Sequence, residues 1–156
     1  MHARATELIR TLGLKPHPEG GHYLEVFRSS RIIPVGDGRR PAATHIFFLL
    51  AEGEHSRWHR LASDELWQWY EGSPLELRTV PHRDPRLVVR RLGSLDSGSL
   101  PVVDVPAGIW QAARPLGPYA LVGCTVAPGF DFADFELLAD DPEERAYLSA
   151  AGVELR

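Results

Sequence analysis

Ala5, Leu8, Ile9 and Leu12 recur at the i, i+3, i+4, i+7 spacing of one helical face. That spacing predicts a short amphipathic helix ending near Gly13. LKPHPEGGHY follows, with two prolines that stop the helix and a glycine pair, Gly20 and Gly21, that permits positive φ. The chain then reads as extended from Tyr23 to Arg28. Beyond it the apolar pattern becomes a series of short or alternating runs: HIFFLL, ELWQWY, LELRTV, LVVRRL, VVDV and YALVGCTV. Between them stand VGDGRRP, PHRDP, DSGSLP, PAG, RPLGP and APGFD, each carrying the Gly, Pro or Asp that turns require. LDSGSL fits a hairpin loop better than a linker. Helical signals return only in ADDPEERAYL, where Asp141 can cap, Pro142 suits the first helical position and Glu144 lies in the first turn. The pattern predicts an all-β sandwich or small barrel with short N- and C-terminal helices.

Length and charge narrow the picture. A chain of 156 residues without repeats suits a single domain over 1–156, long enough to bury roughly two thirds of its unfolded surface. The net charge is −4, with 17 basic residues scattered among 21 acidic ones, so the basic footprint of a nucleic-acid binder is absent. Cys124, the single cysteine, sits in the apolar run LVGCTV and reads as a buried small hydrophobe. No apolar run approaches the roughly 20 residues of a membrane span, and the start lacks a secretory pattern. A cytoplasmic protein with no membrane partner is expected.

The densest chemistry lies between Gly53 and Gly72, in GEHSRWHRLASDELWQWYEG. In a strand, Glu65, Trp67 and Trp69 share one face and Asp64, Leu66, Gln68 and Tyr70 the other. Arg57, His59 and Leu61 likewise share a face. If the two pieces pair across a turn at Leu61–Ser63, His59 and Glu65 point into one cavity. There tryptophans would raise the carboxyl pKa while an imidazolium opposed them, an arrangement suited to acid–base work. His55 and His59 stand four apart, but the intervening SRW lacks the Glu of a zinc-protease helix. Ser56 has no nucleophile elbow around it and reads as a hydrogen-bond satisfier. Trp67, Trp69 and Trp110 suit either the core or a ligand platform. His17 and Glu19 either contact ligand at the cavity mouth or fix a tight turn by local hydrogen bonds.

The spacing of this stretch resembles the first cupin signature. Gly53, five residues, His59, Arg60, Leu61, three residues, Glu65, six residues and Gly72 fit it, with Leu61 where a second metal-binding histidine belongs. Pro106-Ala107-Gly108-Ile109-Trp110-Gln111 approximates the second signature, with Gln111 in the histidine's place. LGLKPHPEGGHY, ATHIFFLL, SRWHRLASDELWQWYEG and VPAGIWQAA together resemble a family of small cupin-like proteins whose function is largely unassigned. The resemblance covers nearly the whole chain. It implies a double-stranded β-helix (cupin jelly roll) with a ligand cavity, commonly as a homodimer.

Usual cupin sites offer three histidines and a glutamate to a transition metal. Here only His59 and Glu65 remain as strong ligands, with Gln111 as a weak oxygen donor. No cofactor is therefore expected, beyond a loosely held divalent metal at those three residues. The resemblance to metal-free sugar epimerases of cupin architecture implies a pocket for a small polar metabolite. His59 would be the base and Glu65 its partner, with Trp67, Trp69, Gln111, Tyr23 and Tyr119 as further contacts and His17 and Glu19 at the mouth. Whether the protein is an enzyme stays open, since one barrel hosts many chemistries. The alternatives are a non-catalytic binding or sensing module and a metal-dependent cupin oxygenase or isomerase with a degenerate site.

Overall fold

The computed structural model describes residues 1–81 and 84–155. His82 and Arg83, within the PHRDP turn expected from the sequence, lie outside the described residues. The elements in chain order are α1 (Ala3–Leu12), β1 (Lys15–Pro16), β2 (His22–Arg28), β3 (Ile32–Val35), β4 (Gly38–Pro41), β5 (Thr44–Ala51) and β6 (His59–Leu61). They continue with β7 (Asp64–Gly72), β8 (Leu75–Val80), β9 (Val88–Leu92), β10 (Val102–Val105), β11 (Trp110–Pro115), β12 (Tyr119–Ala127), β13 (Phe135–Leu137) and α2 (Pro142–Ala150). The α-helices stand at the two ends, as the periodicity predicts.

Two antiparallel sheets face each other in a jelly roll. One has the order β1-β2-β5-β12-β7-β10 and the other β13-β6-β11-β8-β9, while β3 and β4 form a separate hairpin. The sequence shows that hairpin only as the VGDGRRP turn. The Leu61–Ser63 segment does not join paired strands: β6 pairs with β11 and β13, whereas β7 pairs with β12 and β10. The chain crosses there from one sheet to the other.

Alternation sorts each strand into an inner and an outer face. Phe48, Leu50, Trp67, Leu75, Leu77, Ala113, Ala120 and Val122 meet inside as the main core. Both helices cover outer faces. Ala5 and Leu8 of α1 pack on Leu49 and Leu121 of the six-stranded sheet; Leu148 of α2 joins Trp58, Val80, Trp110 and Ala112 on the other. A ten-residue helix is marginal alone, so this docking holds α1 in place. Its end is set by Gly13, at φ 68°, whose N–H donates to the Ile9 carbonyl. At α2 the Asp141 side chain accepts from the Glu144 N–H at 3.0 Å, and Pro142 occupies the first turn. No helix among the described residues is long and apolar enough to cross a membrane.

Candidate functional site

One end of the barrel is filled by the main core and the other holds a cavity of about 410 Å³. The division runs across the strands. On β5, Thr44 and Ile46 line the cavity while Phe48 and Leu50, two and four places on, enter the core. On β12, Val126 and Cys124 line it and Val122 and Ala120 do not. On β7 the cavity residue is Glu65 and the core residue is Trp67. The facing sheet contributes His59 and Leu61 from β6, and Phe135 of β13 stacks on the His59 ring at 5.5 Å between centroids.

A hydrogen-bonded strut marks the boundary between cavity and core. Trp67 Nε1 donates to Gln111 Oε1 at 2.9 Å, and Gln111 Nε2 donates to Glu65 Oε2 at 2.6 Å. An indole N–H only donates, so it fixes which end of the amide faces it and leaves the NH₂ for the carboxyl. Gln111, on β11 beside His59, thus spans from one sheet to the other.

The HPEGG loop brings in the remaining acid–base groups. Gly20 has φ 107° and Gly21 φ 73°; a Cβ would lie 2.5 Å from the His55 carbonyl oxygen at the first and 2.7 Å from that of Leu49 at the second. Only glycines let the loop sit this close to β5 and to residues 55–57. Arg57 N–H donates to the Glu19 carbonyl at 2.6 Å, and the Arg57 guanidinium donates to the Pro18 carbonyl. Glu19 is thereby turned inward, with its Oε2 3.1 Å from His59 Nε2.

Hydrogen-bond roles fix one proton in this group, and burial decides the other. His59 Nδ1 lies 2.8 Å from the Arg57 carbonyl, which can only accept, so Nδ1 carries a proton. In a neutral ring Nε2 is then bare, and Glu19 supplies the proton between them. Burial points the same way, pushing His59 down to about 4 and Glu19 well above the usual carboxylate range, helped by the nearby Glu65 charge and opposed by Arg57. A 3.1 Å contact suits an ion pair as well, but with both groups desolvated the neutral form, with the proton on Glu19, prevails. His17 accepts the Glu19 backbone N–H on Nδ1 at 3.1 Å and packs edge-on against Tyr23; burial pushes it to about 4. Glu65 is raised to about 7 by burial, partly offset by hydrogen bonds from Gln111, Trp67 and Cys124. The Cys124 thiol is pushed up by burial and by Glu65 and Glu19, so it is a neutral wall group.

The structure brings together His17, Glu19, Tyr23, His59 and Glu65 of the residues expected from the sequence. Trp67 and Trp69 share Glu65's face, as alternation requires, but lie deeper along β7, against the core. The Trp69 indole donates to the Ser73 carbonyl at 3.2 Å. Gln111 sits behind Glu65 and outside the cavity wall. Tyr119 lies on the outer, α1 side, where its hydroxyl donates to Glu71 at 2.8 Å. His59 and Glu65 do share the cavity, but they arrive from opposite sheets, and the direct partner of His59 is Glu19. Sequence reasoning missed Phe130, Phe132, Arg28, Glu25 and Asp131 in the wall. APGFD reads as a turn, and nothing local shows that the Phe130 N–H donates to Thr44 Oγ1, which pins that turn over the cavity.

A metal of the cupin kind does not fit these side chains. Leu61 projects into the cavity where an imidazole would be needed, and both ends of the Gln111 amide are engaged. His59 Nε2 already bonds Glu19 directly, and no group of three His, Cys, Asp or Glu among the described residues could hold an ion.

Solved structures with the same fold include a hypothetical protein from Leishmania major, 34% identical with TM-score 0.77 over 92% of this chain and 95% of that one. A Shewanella oneidensis protein is 35% identical with TM-score 0.78, covering 93% and 94%. An oxalate decarboxylase from Lactobacillus farciminis, solved with formate, matches at 15% identity and TM-score 0.60 over 81% of this chain and 34% of that one, a likeness of fold alone. No curated protein matches. The family model described as Cupin superfamily (DUF985) matches residues 6–138, and the chain belongs to that family.

Proposed function

We propose that the cavity binds a small polar molecule and that Glu65 exchanges a proton with it, while the Glu19–His59 pair holds a second proton beside it. The observation that carries this reading is Glu65 itself. It is 6% exposed, faces the cavity, and is held by Gln111 at Oε2. A carboxyl poised at about 7 populates both protonation states near neutrality, as a general acid or base requires. His59, at about 4, is a weak free base; its role here is to accept the Glu19 hydrogen bond. This reverses the assignment expected from the sequence, in which His59 was the base and Glu65 its partner.

The test is a panel of sugars, uronates and amines incubated with the protein in D₂O and followed by proton NMR. Loss of a substrate C–H signal with wild type, and none with Glu65→Gln, is the expected result. Saturable thermal stabilisation by a panel member without exchange or product reduces the reading to a binding or sensing module. Full exchange by Glu65→Gln overturns the role of Glu65.

A further inference from the structure

The cavity wall carries four carboxyl groups, Glu19, Glu25, Glu65 and Asp131, against one guanidinium, Arg28. Arg28 is already engaged, donating to both Glu25 oxygens at 2.8 and 3.0 Å and to the Phe130 carbonyl at 3.3 Å. Nearby Arg57 is exposed, bonds the Pro18 carbonyl and does not line the cavity. The two innermost carboxyls, Glu19 and Glu65, are each 6% exposed, and among the described wall residues Arg28 is the one Lys or Arg. Tyr23, Phe130, Phe132 and Phe135 supply aromatic surface around them.

Resting on the reading of this cavity as a ligand site, we infer that its ligand presents an organic cation, a primary ammonium, to Glu19 and Glu65, with its apolar part against Phe135 and Tyr23. An ammonium has three donors and no acceptor, matching a floor of carboxyl oxygens. It brings positive charge to the two inner carboxyls while Arg28 stays engaged with Glu25, and aromatic faces attract it further. An anionic ligand would be a third desolvated acid beside an Arg28 already taken, the costly case of an unpaired buried charge. A neutral polyol would leave both carboxyls as they are. The neutral His17 and His59 rings do not repel a cation, and the volume, toward the lower end of the roughly 300–1,000 Å³ of small-molecule sites, suits a compact amine rather than a bare ion.

Titration calorimetry near pH 7.5 with size-matched probes decides it: benzylamine and ethanolamine as cations, benzyl alcohol as the neutral form and benzoate as the anion. The expected result is binding of an amine at least ~10-fold tighter than either benzyl alcohol or benzoate. Glu65→Gln should weaken the amine by ~10-fold or more and Glu19→Gln, which replaces a carboxyl already neutral, by less, with thermal melting showing both variants folded. Failure of both amines overturns the inference. So does equal or tighter binding of benzyl alcohol or benzoate, but if Glu65→Gln abolishes that binding the cavity reading survives. Saturation by Mn²⁺ at one ion per chain, lost in Glu65→Gln, also overturns it. Silence of every probe and of the wider panel removes both the inference and the reading beneath it.

Discussion

Glu19 Oε2 stands 3.1 Å from His59 Nε2, joining a loop before β2 to a strand of the opposite sheet through one proton. Both side chains are buried. Removing one partner leaves the other as an unpaired polar group, which costs about 1–3 kcal/mol.

Glu19→Ala should therefore destabilise the fold by roughly that amount in urea unfolding, with an unchanged slope. Glu19→Gln should be milder, because its NH₂ can still donate to the bare His59 nitrogen. Equal losses for the two variants would show that the proton between them is immaterial.

Glu65 predicts a pH dependence of the opposite sense to an ordinary salt-bridged acid. Its folded value, about 7, lies above the ordinary 4.5, so the folded state holds the extra proton and stability falls as pH rises from about 4.5 to 7. The facing groups are Glu19, His59, Gln111, Trp67 and Cys124. His17 and His59, both lowered to about 4, act the other way and favour folding as pH rises from about 4 to 6.5. Glu65→Gln should gain on wild type between pH 5 and pH 8, by on the order of 3 kcal/mol at most. Parallel stability profiles for the two proteins would contradict the raised value.

The depth of each aromatic side chain makes a binding prediction. Trp69→Phe and Tyr119→Phe should leave affinity for any cavity ligand within about twofold of wild type, since neither lines the cavity. Tyr23→Ala and Phe135→Ala should weaken it by ~10-fold or more. Affinities read by calorimetry that fell with Trp69→Phe and not with Phe135→Ala would relocate the site.

Gly20→Ala tests the loop that carries Glu19. Its Cβ would sit 2.5 Å from the His55 carbonyl, on a backbone with φ 107°. A loss of more than about 2 kcal/mol is expected, together with weaker ligand binding. Gly98→Ala, at φ 72° with open space around it, separates strain from crowding and should cost less.

Metal analysis of protein purified without added metal should find well under one equivalent of iron, manganese, nickel or zinc per chain. Near-stoichiometric metal removable by a chelator with loss of stability would restore the metal-dependent reading.

The strands and helix ends were legible because their signals are local, while the jelly roll was reached through the family resemblance. Strand alternation placed Glu65 inward and Asp64 outward, where Asp64 accepts the Ala107 N–H at 2.9 Å. Helix caps at Gly13 and Asp141 could be read residue by residue. The site was only half legible, because alternation tells which face a side chain takes and not how far along the barrel it lies. Trp67 and Glu65 share a face, yet one is core and the other is wall. The Glu19–His59 contact has no local signal at all, since it depends on two glycines allowing a loop to approach a distant carbonyl.

Gln111 also decides where protons can travel. An amide does not titrate at ordinary pH, so the strut from Glu65 through Gln111 to Trp67 offers no relay into the core. The Cys124 thiol on the same wall is held neutral. A proton arriving at Glu65 therefore leaves by the side it came from, through the cavity and past the aromatic rings. On the reading proposed above, solvent deuterium reaches Glu65 by that same side, so label entering a ligand should depend on the cavity residues and not on changes to the core behind Gln111.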